Sequence, residues 1–278
     1  MSVQLFEGED HAALYQKYRF PPSAEVLDLI FSFLGEKQKP YKLAVDVGCG
    51  SGQSTRVLAP HFERVLGTDI SEAQIQQAGK APSPHNVSYR VCPAEELPLE
   101  DASVDLVTAF TAAHWFDTER FLQEVTRVLK PQGCVALSTY LPRMSLQFGD
   151  RSDQLTQIFR EVQDFLSRYA SEKVNLVHSE YQEIFDLLPF PDKKRIPTIS
   201  SRVSFSVAHL MGFIQSFSMF QTFLEADPEA AEEFLKATQE RFLQTMGVSS
   251  LETPLQITCS HVCVLACKTP AAGAASRV

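Results

Sequence analysis

Residues 43–52 read Leu-Ala-Val-Asp-Val-Gly-Cys-Gly-Ser-Gly, an apolar run that passes into a turn with glycine at alternate positions, and a second apolar run ends at Asp69. Gly48, Gly50 and Gly52 permit a tight turn and close approach of backbone to a ligand. A carboxylate at the end of the neighbouring strand, Asp69, can accept hydrogen bonds from two adjacent ribose hydroxyls. Together these residue types describe a pocket for a nucleotide-type cofactor. A dinucleotide site has a similar outline. Asp46, two residues before the first glycine, separates the two readings, because a carboxylate there repels a pyrophosphate and favours an ammonium.

A second group with chemical capacity is His114-Trp-Phe-Asp, which contains the only tryptophan of the chain. His114 can accept a proton from a substrate hydroxyl or orient a carboxylate by hydrogen bonding, with Asp117 close in sequence to fix its tautomer. An indole beside a cation makes cation–π contact and excludes water. The same residues equally fit a packed core. Arg19, Arg143 and Arg202 are the candidates for positive charge if the substrate is an acid.

The elements that must position these groups alternate between strand and helix through the first half of the chain, which predicts a parallel sheet covered by helices. Strands are expected at Lys42–Val47, Arg64–Asp69, Val87–Val91, Val104–Ala109 and Cys134–Tyr140. The first helix after the glycine turn stops at Pro60, Ser71 is placed to cap the next, and Asp117–Leu129 carries Phe121, Leu122, Val125, Val128 and Leu129 at helical spacing. Lys130-Pro-Gln-Gly ends that helix. The expected architecture is a Rossmann-like, doubly wound, seven-stranded and mostly parallel α/β sheet with a helical cap inserted after strand five. Residues 1–143 form the N-terminal segment and cofactor-binding core, 144–190 the helical insert, 191–268 the remaining core, and 269–278 a disordered tail. Strands at Arg195–Phe205 and Leu255–Lys268 are read as a closing hairpin pair, with a helix over Pro228–Met246 between other elements.

The chain has 278 residues, 44% of them hydrophobic, and a net charge of −9. That balance disfavours nucleic acid and anionic membranes as partners and favours a small molecule. No apolar run has the length of a membrane span and the first residues lack a leader pattern, so a cytoplasmic location is expected. Six cysteines, at 49, 92, 134, 259, 263 and 267, lack close pairing and are expected to be reduced thiols. A strand would place Cys259, His261, Cys263 and Cys267 on one face, but next-but-one neighbours stand about 7 Å apart, too far for easy chelation, and no metal is assigned. Oligomeric state leaves no readable signal.

The glycine turn with its second-strand acid resembles the motif of class I S-adenosylmethionine-dependent methyltransferases. Arg127-Val-Leu-Lys-Pro-Gln-Gly is similar to the stretch before their fifth strand, and Ala94-Glu-Glu-Leu-Pro-Leu followed by Asp101-Ala-Ser-Val-Asp resembles their third-strand exit and fourth-strand entry. Tyr15-Gln-Lys-Tyr-Arg-Phe-Pro-Pro and Ala113-His-Trp-Phe-Asp resemble the trans-aconitate methyltransferase-related group of small-molecule enzymes. The resemblance spans roughly residues 10–140. It implies S-adenosyl-L-methionine as cofactor and S-adenosyl-L-homocysteine as product. It further implies Gly48, Gly50 and Gly52 along the methionine and ribose, Asp46 near the ammonium and Asp69 on the ribose. Ala94 and Glu95 fall at the adenine, with Pro93 where many relatives carry an acid, and Tyr18 and Arg19 belong to a segment folding over the cofactor. Thr111 stands where close relatives often have glutamine, and Phe217 where they often have tryptophan.

The reaction so implied is in-line displacement of a methyl group onto an oxygen, carboxylate or hydroxyl, of a small molecule, with His114 as the catalytic candidate. Proximity and orientation supply most of such an acceleration. Two other functions share the glycine turn. One is a protein or RNA methyltransferase, which calls for an open basic or peptide-binding surface; the other is a catalytically silent cofactor-binding partner protein.

Overall fold

Two prolines, Pro21 and Pro22, separate the first two helices, α1 (Glu9–Tyr18) and α2 (Ala24–Gly35), in the structure, a computed structural model that describes residues 8–35 and 40–269. There follow β1 (Leu43–Val47), α3 (Gln53–Leu58), β2 (Arg64–Asp69), α4 (Glu72–Lys80), β3 (Val87–Val91), β4 (Val104–Phe110), α5 (Thr118–Val128) and β5 (Leu129–Gln147). Every residue of β1 is buried, as an apolar strand covered on both faces requires. Ser71 caps α4 by accepting from the Gln74 amide, and Asp117 caps α5 by accepting from the Arg120 amide. The buried stripe of α5 is Phe121, Leu122, Val125 and Val128.

The second half contains α6 (Ser152–Leu166), α7 (Asn175–His178), α8 (Gln182–Leu187), β6 (Asp192–Ser206), α9 (Val207–Gln215), α10 (Ser218–Ala226), α11 (Pro228–Met246) and β7 (Pro254–Cys267). The seven strands run in the order β3-β2-β1-β4-β5-β7-β6. Strands β1 to β5 pair in parallel, and β7 lies antiparallel between β5 and β6. Because β1 is flanked by β2 and β4, the chain reverses its direction of travel across the sheet there and leaves a crevice at the strands' carboxyl ends.

Three differences from the sequence reading have physical causes. The last two strands are not a hairpin, since α9, α10 and α11 intervene before β7 returns to pair with β6. Residues 144–147, placed in the insert, are strand: beyond a register shift after Tyr140, Met144–Gln147 pair with β7 again, and the helical part starts after them. Cys134 and Cys267 are not free thiols but a disulfide, because the antiparallel register sets them directly opposite each other. Cys49, Cys92, Cys259 and Cys263 are free. The expected disordered tail lies, beyond Thr269, outside the described residues.

Alternate strand residues feed opposite faces of the sheet. Ala44, Val65, Leu106 and Cys263 pack with α2 and the end of α3, whereas Val45, Val47, Val107 and Leu137 pack with α5, α7 and α8. A third cluster sits beyond this, where α6, α9, α10 and α11 bury Met144, Leu146, Phe205 and Ile257. Among the described residues no helix is long and apolar enough to cross a membrane.

Candidate active site

The crevice at the carboxyl ends of β1, β2, β3 and β4 is a cleft of about 840 Å³, open on one side, whose walls include Gly48, Gly50, Asp69, Ala94, Glu95 and Thr111. Gly48 has φ +67°, and a Cβ there would stand 2.6 Å from the Ala112 Cβ, so only glycine brings the turn this close to the β4 exit. The Gly50 amide donates to Asp69 Oδ2 at 2.8 Å, while the Ser71 amide donates to Asp69 Oδ1 at 2.9 Å. Asp69 therefore ties the glycine turn to the start of α4. Burial raises its pKa, and the backbone amides of Ser71, Gly50 and Ile70 oppose that rise, while its oxygens keep lone pairs beyond these bonds.

Gln74 supplies a second polar feature. Its side chain is buried against the cleft, and its Oε1 has no hydrogen-bond partner among the described residues. A buried acceptor of this kind calls for an N–H or O–H from a ligand or an ordered water. On the opposite wall Glu95 Oε1 accepts from the Asp117 amide at 2.8 Å, which fixes the loop after β3 to the turn before α5. Thr111 has φ 55°, a left-handed conformation that is strained for a β-branched residue, and its amide donates to Ser138 O at 2.7 Å.

Thr111 and Tyr15 also border a second chamber of about 710 Å³, whose walls include Arg19, His114, Trp115, Tyr140, Phe217 and Met219. Gln163 of α6 and Val177 of α7 line it, so the helical segment after β5 contributes directly to its wall. Arg19 donates from Nε to Ser216 Oγ at 2.7 Å and from Nη2 to Ser216 O at 2.9 Å. Its guanidinium stands 4.9 Å from the ring centre of Tyr15 and 5.3 Å from that of Phe217. His114 is buried, with Nδ1 3.0 Å from Tyr181 Oη. Burial, helped by the charges of Arg19 and Lys173, holds its pKa down at about 3, so the imidazole is neutral.

Six of the residues singled out from sequence thus share the cleft: Gly48, Gly50, Asp69, Ala94, Glu95 and Thr111. Others lie elsewhere. Asp46 is fully buried beneath the turn, where Ser54 Oγ and Thr55 Oγ1 donate to Oδ2 at 2.7 and 2.8 Å and Thr108 Oγ1 donates to Oδ1 at 2.8 Å. Its carboxyl, pushed up to about 6 by burial, serves this ring of hydroxyls and does not line the cleft. Gly52 begins α3 with φ +79°, turned toward Tyr89 and away from the cleft. Tyr18 packs its ring on Gly212 of α9, and Arg19 borders the second chamber. Asp117 does not orient His114; it caps α5, and the histidine's partner is Tyr181. Tyr15, Ile70, Gln74 and Cys92 also line the cleft without having been singled out for it. Gln74 had a signal, since it stands three residues after a capping serine at the entry to the helix that follows Asp69.

Residues 45–137 match the family described as "Methyltransferase domain". A Dictyostelium discoideum protein named "Putative methyltransferase" is 31% identical over 229 residues, spanning 80% of this chain and 82% of that relative. A Saccharomyces cerevisiae protein named "Probable S-adenosylmethionine-dependent methyltransferase" is 24% identical over 243 residues, spanning 78% of this chain and 82% of that relative. A solved structure described as "a Putative Type II Methyltransferase from Anaeromyxobacter dehalogenans" superposes with a TM-score of 0.70 at 30% identity, covering 91% of this chain and 99% of that one.

Proposed function

This chain belongs to the methyltransferase family, and from that premise we propose that it transfers the methyl group of S-adenosylmethionine to an oxygen of a small molecule, within the trans-aconitate methyltransferase-related group. The observation that carries the small-molecule reading is the second chamber, joined to the cleft across Thr111 and Tyr15 and walled by the helical segment after β5. The net charge of −9 opposes an RNA backbone as the alternative substrate.

The cleft fits the cofactor on its own features. Gly48 and Gly50 clear space that a side chain would fill, Asp69 keeps lone pairs beside the turn, and Gln74 Oε1 is an unmatched buried acceptor. We assign Asp69 to the ribose hydroxyls, Gly48 and Gly50 to the close backbone approach, Ala94 and Glu95 to the adenine side, and Tyr15 with Thr111 to the junction of the two spaces. Asp46, Gly52 and Tyr18 act indirectly, by shaping the turn and the segment over it. S-adenosylmethionine, when bound, supplies a methyl group on a positively charged sulfur. The chain's own part is to hold an acceptor oxygen at the junction, with Trp115 and Phe217 excluding water from the chamber and His114 making a hydrogen bond to the acceptor.

Calorimetric titration tests the cofactor assignment. Saturable binding of S-adenosylmethionine with no binding of NAD is expected, followed by transfer of labelled methyl to members of a panel of small acids and alcohols. Binding of NAD instead, or of neither, would overturn it. Normal cofactor binding without transfer to any acceptor would favour the silent partner protein.

A further inference from the structure

The second chamber has two kinds of wall. Tyr15, Arg19, Thr111, Trp115, Thr139 and Tyr140 are shared with the cleft or with a smaller neighbouring cavity bordered by Cys49 and Ser51. The lining beyond these is mostly apolar: Pro142, Met144, Val174, Val177, Phe217 and Met219. Those side chains come from the far part of β5, from α7 and its entry, and from the start of α10. Two polar groups among them are already engaged. Gln163 Nε2 donates to Pro142 O at 2.8 Å, and His114 Nδ1 stands 3.0 Å from Tyr181 Oη.

Charge is as unevenly distributed. Arg19 is the only Asp, Glu, Lys or Arg among the described residues lining the chamber. It spends Nε and Nη2 on Ser216, and its guanidinium lies within 5.7 Å of the ring centres of Tyr15, Tyr140, Phe213 and Phe217. Arg143 and Arg202, the other two arginines expected to supply positive charge, do not line this space. Arg143 pairs with Glu180, and Arg202 is exposed on β6. A second carboxylate brought into the chamber therefore meets no second cation among the described lining residues, and an unpaired charge taken out of water is costly. Apolar groups placed against Met144, Val177, Phe217 and Met219 gain affinity by leaving water.

We infer that the chamber selects an amphipathic acceptor, with a single oxygen-bearing end at the junction near Thr111 and Arg19 and an apolar body against Met144, Val177, Phe217 and Met219, and that it rejects polyacids, trans-aconitate included. This rests on the reading of the chamber as the acceptor site. Within the group that the N-terminal segment and the His114 segment resemble, the specificity of this chain is then set by the apolar walls that the second half of the chain supplies. Met219 is half-buried at the chamber wall, which makes it the position where a charge can be introduced with least disturbance to the core.

Trp115, the only tryptophan of the chain, borders both the cleft and the chamber and is a built-in reporter of occupancy. Its fluorescence is to be titrated with straight-chain alcohols from butanol to octanol, and separately with trans-aconitate, on the chain saturated with S-adenosylhomocysteine. Saturable responses are expected whose affinity rises about three- to fourfold per added methylene, with trans-aconitate weaker than octanol. Met219→Glu, shown to be folded by circular dichroism, should lose that rise with chain length. No rise in the unsubstituted chain, or tighter binding of trans-aconitate than of octanol, overturns the inference even if Met219→Glu fails to fold. An unchanged rise in folded Met219→Glu overturns the assignment of the apolar body to this wall, as does displacement of S-adenosylhomocysteine by octanol, which would put the alcohol in the cleft. The initial titration with S-adenosylhomocysteine alone keeps these outcomes distinct from a failure of the methyltransferase reading, which would show as no binding at that step.

Discussion

Asp69 accepts from two backbone amides that belong to different segments and lines the cleft, so one carboxylate both shapes the turn and borders the space the proposed cofactor would fill. We predict that Asp69→Ala weakens S-adenosylmethionine binding by about 1–3 kcal/mol, the worth of a hydrogen bond to a charged group. Calorimetry on a variant shown by circular dichroism to be folded checks this, and unchanged affinity would remove Asp69 from the cofactor site. Gly48 is more constrained still. Gly48→Ala must place a Cβ 2.6 Å from the Ala112 Cβ at φ +67°, and we expect a stability loss of about 1–3 kcal/mol in urea denaturation. Both positions were legible in the sequence because their demands are local: a strand end and a backbone conformation that favours glycine. Asp46 was read as facing an ammonium, and its actual surroundings were not legible, since the hydroxyls that hold it come from Ser54, Thr55 and Thr108 on two other elements. His114 was singled out, yet its partner lies 67 residues away and only the folded chain brings Tyr181 to it.

Local punctuation governs how far the elements could be read. Pro60, Ser71, Asp117 and the Asp227-Pro228 pair mark helix ends by hydrogen bonding and ring geometry within a few residues, and those helices fall where expected. The return of β7 between β5 and β6 is a long-range pairing, which no local signal announces. The same pairing creates the Cys134–Cys267 disulfide, which closes a loop with a sequence separation of 133. Cross-links over loops of that size constrain the unfolded chain and typically contribute about 2–5 kcal/mol. Reduction with dithiothreitol should therefore lower the urea midpoint of the unsubstituted chain while leaving a Cys134→Ala, Cys267→Ala variant unmoved. An equal midpoint with and without reductant in the unsubstituted chain would show that the pair contributes nothing to stability.

At the scale of the whole molecule, three buried groups set opposing pH dependences. Burial lowers His114 to about 3 and His261 to about 4, while it raises Asp46 to about 6. The histidines bind fewer protons folded than unfolded, so the stability they contribute is present above their ordinary value of about 6.5 and is lost as pH falls toward their folded values. Asp46 has the opposite sign: the folded chain holds its proton where the unfolded chain has lost it, and stability declines as pH rises through about 4 to 6. Near pH 5 two proton-excluding groups oppose one proton-holding group, which leaves these three with a net of about one proton more in the unfolded state and a slope of about 1.4 kcal/mol per pH unit. Asp46→Asn removes the opposing member and keeps a side chain of the same shape within the ring of hydroxyls. We predict that between pH 4.5 and 6 the variant loses stability on acidification more steeply than the unsubstituted chain, by about one further proton, and that the two slopes converge above pH 7. Urea unfolding at pH 4.5, 5.5 and 7.5 measures the difference, in which every carboxylate common to the two chains cancels. Parallel slopes across that window would mean that Asp46 is ionised in the folded chain, stabilised as an anion by the hydroxyls of Ser54, Thr55 and Thr108.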